Sequence, residues 1–370
     1  MKARNIFLWG APPSLPLNED FITSYKRSGY NLGNTLIGNG VTSVLEGYKF
    51  LFRSQLFSPK DAEEKCGHIV IPASNFLWKN FDLGFMADFI EPTNLPVTMI
   101  GLGAQTDDRS LVSEIHPNTL RLIKIISERS PSIGVRGYYT AEVLAAHGIL
   151  NVEVLGCPSL YTQCRPPQHI RECKNISFER LAVNFSRRVQ SHSFNHEILQ
   201  FIEKSLLEFA INHNCAFIAQ DELEELAMAN GVASEVDISN VTSYFNCSNK
   251  SSVIDYFSKN TFYFCNYQSW SNFMITRSGC IGSRLHGNIA ALTSGIPCLM
   301  IAHDSRTLEI CSLIGAPHIN IKSISPNQLD AKFLLDAFQS ADYSLYFSNM
   351  THLFHRYKKF LDLHGLVNRL

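Results

Sequence analysis

One stretch of the chain decides the fold, because it holds a complete strand, turn, helix and strand. Residues 282–306 read GSRLHGNIAALTSGIPCLMIAHDSR. A turn with glycines leads into a short helix, Gly295 ends that helix, and residues 297–302 have the composition of a buried strand. Strands joined through helices are the repeating unit of doubly wound α/β domains. We therefore expect a parallel sheet that binds ligands at the carboxyl ends of its strands.

Arg284 and His286 stand in the turn of this unit, between Gly282 and Gly287. Glycines let the backbone approach a ligand closely, and the helix that follows directs free N–H groups and the positive end of its dipole to the same place. An arginine adds a fixed, forked cation, and a histidine exchanges a proton near neutral pH. A lone arginine or histidine usually pairs with a carboxylate or caps a helix. This combination instead predicts an anion site, to which Ser283 contributes as a neighbour.

The same alternation of short apolar runs and helical patterns extends to both sides of this unit. Strands are predicted near residues 5–9, 68–72, 97–101, 132–136, 152–155, 181–185, 216–220, 262–265, 275–282 and 297–302. Helices are predicted over residues 35–51, 117–128, 139–147 and 197–213. The fold class is therefore α/β, with parallel sheets of the Rossmann type.

A segment with two prolines and few apolar residues, 162–176, is the predicted linker between two domains. The N-terminal Rossmann-like domain then covers residues 1–165 and the C-terminal one residues 176–327. Residues 328–370 are predicted to be helical, and their pattern leaves open whether they pack back across the boundary.

The composition is that of a folded protein without a strong overall charge. Of 370 residues, 45% are hydrophobic and 18% are charged, and 32 Lys plus Arg against 33 Asp plus Glu leave a formal net charge of −1. No overall basic field exists to gather nucleic acid or an anionic membrane. The length exceeds that at which one hydrophobic core usually stops growing, which also favours two domains.

The spacing of the cysteines and the length of the apolar runs bear on metal binding and on membrane insertion. The ten cysteines form no CxxC pair and no cluster with histidines at zinc spacing, so we expect reduced thiols and no metal site. No run approaches the roughly eighteen apolar residues of a membrane span, and the first apolar run is too short for a signal peptide. We therefore expect a cytoplasmic protein without a membrane span, and peripheral membrane contact stays open.

The stretch 282–306, with its Arg-Leu-His core, Gly-Ile-Pro turn and following Asp, resembles the signature of the polysaccharide pyruvyltransferase family. Weaker likenesses extend over most of the chain. They are NLGNTLIGNG at residues 31–40, MIGLGAQ at 99–105, SIGVRGYYTAEVL at 132–144 and VLGCPSL at 154–160. The resemblance implies two Rossmann-like domains that face each other across a cleft in a glycosyltransferase-B-like arrangement. The N-terminal domain would hold the acceptor and the C-terminal domain the donor.

The chain departs from the family pattern at four places. The family often has an Asp where Asn34 stands, a glycine run where residues 72–74 read PAS, an Asp where Gly137 stands, and a Lys where Arg306 stands. The arginine and histidine of the signature are retained. The departures therefore bear on the acceptor pocket more than on the donor pocket.

The resemblance implies phosphoenolpyruvate as the donor and a pyruvate ketal on a saccharide as the product, in the biosynthesis of an exopolysaccharide, capsule or cell-surface glycan. The acceptor could be free, lipid-linked or polymeric. A donor with a phosphate and a carboxylate needs two anion receptors, for which arginine is well suited. Arg284 is the first candidate, and Arg187 is preferred as the second over Arg188 and Arg136. Asn34 is added to the predicted substrate-binding residues.

In the implied reaction the enol carbon is protonated, a sugar hydroxyl attacks, phosphate leaves and a second hydroxyl closes the ketal. His286 is predicted to be the general acid, with an ordinary pKa near 6.5, while Arg284 stabilises the departing phosphate. No metal and no organic cofactor is expected. Asp304, also taken as a substrate-binding candidate, has three interpretations: it orients His286, holds Arg306, or is a solvated turn residue.

Two other functions fit the same architecture. One is a glycosyltransferase that uses a nucleotide sugar, and such enzymes usually place an acidic residue late in the second domain against the nucleoside. Glu309 is the sole nearby candidate for that residue. The other is a saccharide-binding protein without catalytic activity, which would have no use for an acid and a cation below a helix end.

Overall fold

The computed structural model describes residues 5–10, 12–47, 49–51, 58–104, 114–173, 176–324 and 330–370. Gln105, which ends one of the quoted motifs, and residue 327, a predicted domain limit, lie outside these ranges. Two six-stranded parallel sheets, each flanked by helices, account for the described strands. The predicted fold class of two Rossmann-like α/β domains is confirmed.

The strands of the first sheet come from the N-terminal half of the chain. They are β1 (Ile6–Leu8), β2 (Lys49–Leu51), β3 (His68–Pro72), β4 (Val97–Leu102), β5 (Ile133–Val135) and β6 (Val152–Val154). The strands of the second sheet are β7 (Leu181–Asn184), β8 (Ala216–Ile218), β9 (Thr261–Phe262), β10 (Gly279–Gly282), β11 (Cys298–Ala302) and β12 (His318–Asn320). Short apolar runs form these strands because both faces of a parallel sheet are covered by helices.

The helices of the N-terminal half are α1 (Phe21–Arg27), α2 (Asn34–Val44), α3 (Pro59–Lys65), α4 (Gly84–Ile90), α5 (Pro117–Arg129) and α6 (Tyr138–Ala146). Those that follow are α7 (His196–His213), α8 (Leu223–Ala229), α9 (Glu235–Tyr244), α10 (Lys250–Asn260), α11 (Tyr267–Met274), α12 (Leu285–Thr293), α13 (Ser305–Ile314), α14 (Ala331–Gln339) and α15 (Ser344–Leu363). None of the helices in the described ranges is long and apolar enough to span a membrane.

The predicted helix over residues 35–51 was wrong in its last part. Helix α2 ends at Val44, Leu45 takes an extended conformation, and Gly47 has a φ of 90°. That left-handed conformation suits glycine and turns the chain away from the helix axis. Lys49–Leu51 then pairs in parallel with β1 as the edge strand of the first sheet.

The strand order places a crevice in each sheet. The first sheet runs β2-β1-β3-β4-β5-β6 and the second β12-β11-β10-β7-β8-β9. In the second sheet the order reverses between β7 and β10, because the chain runs outward through β8 and β9 and then returns to the other side of β7. Ligands bind at such a reversal, outside the carboxyl ends of the strands. The Arg284 turn follows β10 and therefore lies at this point.

Several segments join the two domains. Near the N-terminus, the Leu15 N–H donates to the Cys265 carbonyl of the second domain (2.8 Å). Near the C-terminus, Tyr357 of α15 packs on Tyr161 with ring centroids 4.3 Å apart, and His364 Nε2 lies 2.8 Å from the Ser132 carbonyl oxygen. A single buried apolar cluster includes residues of both domains. The ten cysteines are free, as predicted, and most are buried.

Candidate active site

The turn between β10 and α12 is held by Asn184, the last residue of β7. Asn184 Oδ1 accepts a hydrogen bond from the Arg284 N–H (2.7 Å). A Cβ on Gly282 would lie 2.1 Å from the Asn184 carbonyl oxygen, and one on Gly287 would lie 2.8 Å from Asn184 Nδ2. Asn288 Nδ2 ties the turn from inside α12 by donating to the Gly282 carbonyl (2.9 Å). The two glycines, predicted to admit a ligand, make room for Asn184.

Arg284 precedes α12 directly and is buried in an ion-paired cluster. Its Nε donates to Glu222 Oε1 (2.7 Å), and its Nη2 contacts the Asp221 carboxylate. Burial, with Arg306 nearby, lowers the pKa of Arg284 to about 9, so the guanidinium keeps its charge at neutral pH. Burial raises the pKa of the Glu222 carboxyl. Loss of Arg284 would leave these carboxylates buried without their partner.

His286 lies in the first turn of α12 and contacts the first domain. A Cβ on Gly33 would come within 2.6 Å of His286 Nδ1, and Cys157 Sγ lies 3.8 Å from Nε2. Burial, followed by the charges of three arginines, lowers the pKa of His286 well below its usual value. The prediction of an ordinary pKa was therefore wrong, since the buried imidazole is neutral near pH 7.

Arg136 reaches the same region from the first domain, directly after β5, and is 2% exposed. Its Nε donates to the Gly101 carbonyl (3.0 Å) and its Nη1 to Asn75 Oδ1 (2.8 Å), both neutral acceptors. Its Nη2 is buried and has no hydrogen-bond partner among the described residues. Burial lowers the pKa of Arg136. A buried guanidinium is costly unless its charge and donors are satisfied, so an anion would be stabilised here.

The start of α13 adds Asp304, Arg306 and His303. Asp304 Oδ1 accepts from the Thr307 N–H (2.7 Å), which caps α13, and Oδ2 pairs with Arg306 Nη2 at 3.1 Å. Of the three interpretations of Asp304, the one in which it holds Arg306 agrees with this geometry. Although burial opposes it, Arg306 holds the pKa of Asp304 at about 2. Arg306 Nε is buried without a partner in the described ranges.

His303 is fully buried, and neither of its ring nitrogens has a partner within the part of the chain that the structure describes. Burial lowers its pKa to about 4, while the neighbouring Asp304 acts in the opposite direction. Neutral imidazole nitrogens without partners are unusual in a protein interior. The two ring nitrogens of His303, Arg136 Nη2 and Arg306 Nε are thus buried polar atoms without partners in the same region of the described structure.

These side chains influence one another electrostatically although they come from two domains. Arg136, Arg284 and Arg306 each lower the pKa of His286, and Arg306 and Arg284 also lower that of His303. The end of β5 in one sheet and the end of β10 in the other therefore face the same region. We call this set, Arg136, Arg284, His286, His303, Asp304 and Arg306, the cleft cluster. No group of three or more His, Cys, Asp or Glu side chains among the described residues could hold a metal ion.

Arg187, the preferred second receptor, lies outside the cleft cluster and is neutralised there. Its Nε donates to Glu225 (2.9 Å), and its Nη2 donates to Glu224 (2.7 Å) and Glu225 (2.8 Å). Although burial opposes it, these carboxylates raise the pKa of Arg187. Arg188 also pairs with Glu224, at 3.2 Å. The structure thus gives no support to Arg187 as an anion receptor, because its charge is already balanced.

Ser283 and Asn34 are also engaged within the protein. The Ser283 hydroxyl donates to Glu203, a fully buried carboxylate whose pKa is raised by burial. Asn34 Nδ2 donates to the Ser28 carbonyl (3.1 Å) and so ties down the loop before α2. These contacts tie both side chains to the protein around the cleft.

Sequence reasoning missed Asn184, Asn75 and His303. Asn184 is the last residue but one of the predicted strand 181–185, so its position at the sheet edge was a usable signal. Asn75 follows β3 at the edge of the first sheet, and His303 directly precedes Asp304. Nothing in the local sequence indicated that the His303 nitrogens would be buried without partners.

Trp78 is a further residue that sequence reasoning missed, on the loop after β3 that also carries Asn75. Its ring stacks near Phe81 (6.4 Å between centroids, 22°) and meets His192 of the second domain edge-on (6.4 Å, 78°). His192 in turn lies close enough to affect the pKa of His303. The half-buried indole therefore lies between the domains and near the cleft cluster.

Comparison with solved structures finds a UDP-GlcNAc 2-epimerase, a protein solved with UDP and a functionally uncharacterised protein. UDP-GlcNAc 2-epimerase of Methanocaldococcus jannaschii is 12% identical, with a TM-score of 0.46 and coverage of 97% of this chain and 99% of that one. MnaA of S. aureus, solved with UDP, is 10% identical, with a TM-score of 0.44 and coverage of 94% and 91%. A functionally uncharacterised protein of Klebsiella pneumoniae is 11% identical, with a TM-score of 0.39 and coverage of 84% and 88%. At these values the likenesses say nothing about substrate or reaction.

Comparison with curated proteins gives no match. The family model of polysaccharide pyruvyl transferase matches residues 29–305, which include Arg136 and the complete turn from β10 to α12. This span is most of the chain and includes all of the described strands except β1 and β12. The chain belongs to the polysaccharide pyruvyl transferase family.

Proposed function

We propose that the protein transfers the enolpyruvyl group of phosphoenolpyruvate to a saccharide, on which it forms a pyruvate ketal. The observation that carries this proposal is the state of Arg136. It is a buried cation, its hydrogen-bonded partners are neutral, and its Nη2 has no partner among the described residues. A bound anion would supply both the missing charge and the missing acceptor.

Phosphoenolpyruvate has two anionic groups, and the cleft cluster has arginines on both sides. Arg136 lies on the first domain, while Arg284 and Arg306 lie on the second. Arg136 takes the place that the sequence analysis gave to Arg187. Arg306 still has an unsatisfied Nε beside its ion pair with Asp304. The free N–H groups at the start of α12 add a dipole of the required sign.

His286 is proposed as the acid that protonates the enol carbon. Its neutrality without ligand follows from burial and from three nearby cations. An anionic donor opposes the cations, so binding should raise the pKa of His286 and draw a proton onto it. The proton then passes to the methylene carbon, one sugar oxygen bonds to the central carbon, and the bond to phosphate breaks. The second sugar oxygen closes the ketal, and the hydroxyl protons pass to the imidazole and to phosphate.

The methylene carbon gains a C–H bond while the central carbon gains a C–O bond, so the transfer involves no net oxidation or reduction and the proposed reaction needs no redox cofactor. For the acceptor we propose a sugar ring against Trp78, because aromatic faces pack well on the apolar faces of pyranoses. That sugar could be free, lipid-linked or part of a polymer. In the last two cases the rest of the acceptor would extend out of the cleft.

Glu309 weakens the case for a nucleotide-sugar donor. Its carboxylate would be the residue that holds the nucleoside in such an enzyme. Here Oε1 accepts from the Thr140 N–H (2.9 Å) and Oε2 from the Thr140 hydroxyl (3.3 Å), and the side chain is buried. Binding a ribose there would require these bonds to break.

The test is to incubate the protein with phosphoenolpyruvate and a panel of saccharides, free and lipid-linked. We expect phosphate release coupled to a mass gain on one sugar class that equals a ketal-linked pyruvate. UDP-sugars serve as the comparison donors. Release of UDP, with no use of phosphoenolpyruvate, would replace the proposal by a glycosyltransferase, and saccharide binding without turnover would indicate a binding protein.

A further inference from the structure

We infer that Glu309 is a positioning residue that clamps the two domains and thereby holds Arg136 opposite Arg284. Its carboxylate lies on α13 of the second domain and caps α6 of the first. The kinetic part of this inference rests on the proposed function, whereas the clamp itself does not.

Helix α6 lacks an N-cap of its own. Its N-cap residue is Gly137, which has no side chain to bind the free N–H groups of the first turn. Instead, the Thr140 N–H, in the third helical position, donates to Glu309 Oε1 (2.9 Å), and the Thr140 hydroxyl donates to Oε2 (3.3 Å). The third N–H is the one that a cap side chain normally satisfies. The cap is therefore provided by the other domain, 169 residues away in sequence.

The space around Gly137 fits this arrangement closely. A Cβ at this position would lie 2.1 Å from Glu309 Cγ and 2.4 Å from Cδ. Its φ of −171° is an extended conformation that any residue adopts. Glycine is therefore required here by the Glu309 side chain, which occupies the space that a Cβ would need.

The clamp acts next to the cleft cluster on both sides. Arg136 directly precedes Gly137, and Arg306 lies three residues before Glu309 in the first turn of α13. Glu309 is 4% exposed and also favours the charged form of Arg136. Fixing Glu309 against α6 thus fixes the separation between an arginine of one domain and two of the other. Two anionic groups on one small donor require such a fixed separation.

The first experiment compares Glu309→Ala with Glu142→Ala, which removes an exposed carboxylate from α6 itself. Amide hydrogen exchange is measured on both variants and on the unaltered protein. For Glu309→Ala we expect at least tenfold faster exchange at Thr140 and in the first turn of α13. The KM for phosphoenolpyruvate should rise about tenfold, with a smaller change in kcat. Glu142→Ala should match the unaltered protein in each respect.

A second variant separates the clamp from simple capping. Gly137→Asp with Glu309→Ala places a cap within the first domain, where the removed side chain leaves room for it. Exchange at Thr140 should return towards normal, while exchange in α13 stays fast and the KM stays high. Recovery of the KM would overturn the inference, because local capping would then suffice, and so would unchanged exchange in Glu309→Ala. If the unaltered protein does not consume phosphoenolpyruvate, the proposed function fails, and the exchange data still decide the clamp.

Discussion

Two buried arginines, each at the end of a strand, differ in how their charge is balanced. Arg187 follows β7, and its guanidinium donates to two carboxylates, Glu224 and Glu225. Arg136 follows β5, donates to two neutral oxygens, and keeps Nη2 without a partner among the described residues. The first arrangement is complete within the protein. The second leaves one buried donor unsatisfied within the cleft cluster, so Arg136 differs from Arg187 both in its place and in the state of its donors.

The largest expected effect comes from exchanging each arginine for methionine. Arg136→Met should lower the turnover of phosphoenolpyruvate at least about 10³-fold, because a charged hydrogen-bonding group that would hold phosphoenolpyruvate is lost. Its unfolding free energy should change by less than about 2 kcal/mol, since a costly buried charge is removed along with two hydrogen bonds. Steady-state kinetics and chemical denaturation measure the two quantities.

Arg187→Met is the matched control. It should lose about 3–5 kcal/mol of unfolding free energy, because Glu224 and Glu225 become unpaired in a buried site. The turnover per folded molecule should stay near normal. Equal losses of activity in the two variants would remove the distinction between the regions and restore Arg187 as a receptor.

The next effect concerns His286. His286→Gln keeps a polar side chain of similar size but cannot pass on a proton, so kcat should fall about 10²- to 10³-fold with little change in the KM for phosphoenolpyruvate. Calorimetry in buffers of different ionisation enthalpy should show proton uptake when the unaltered protein binds the donor, and less uptake in the variant. Equal uptake in both would assign the proton to another group.

The two regions should also differ in their response to acid. Burial holds the pKa of His303 at about 4, below its value in the unfolded chain, so the unfolded chain binds more protons between pH 6.5 and 4. Stability from this group is complete above pH 6.5 and falls by roughly 3 kcal/mol by pH 4. Although burial opposes it, Arg187 lowers the pKa of Glu224, and the stability from that pair is lost only below about pH 4.5.

Denaturation measured as a function of pH tests this difference. His303→Phe should flatten the curve between pH 6.5 and 4 and leave the loss below pH 4.5 unchanged. A curve of unaltered slope in the variant would show that the His303 imidazole is not held neutral by the fold.

The smallest expected effect is on the acceptor side of the cleft. Trp78→Ala should raise the KM for the saccharide about fivefold, because stacking on an indole contributes about 1 kcal/mol. The KM for phosphoenolpyruvate should stay the same. Phe85→Ala, an exposed aromatic on α4, is a suitable control. A change in the KM for phosphoenolpyruvate alone would show that Trp78 contacts the donor and not the saccharide.

Sequence reasoning reached the turn between β10 and α12 because its signals are local. Strand, glycine and helix follow within a few residues, and Arg284 and His286 stand between them, so their place at the carboxyl edge of the sheet follows from chain order. The same reasoning could not foresee the ion pairs of Arg187. The carboxylates that neutralise it are 37 and 38 residues further along the chain, and α8, which carries them, was not assigned.

The pKa of His286 shows the same limit. Its ordinary value is a property of the residue, whereas its lowered value depends on burial between two domains and on Arg136 and Arg306 from other segments, besides the neighbouring Arg284. The burial of His286 and its distances to Arg136 and Arg306 could not be known without the packing of one sheet against the other.

By itself, the sequence determined the two parallel sheets, the position of the Arg-Leu-His turn and the family, because these depend on periodicity and on neighbouring residues. Only the tertiary structure decided which arginines are balanced by carboxylates, that Arg136 joins Arg284 and Arg306, and that Glu309 caps a helix of the other domain. The physical reason is that the charge balance and the hydrogen bonds of a side chain depend on which groups surround it in the folded protein. Those groups come from separate parts of the chain.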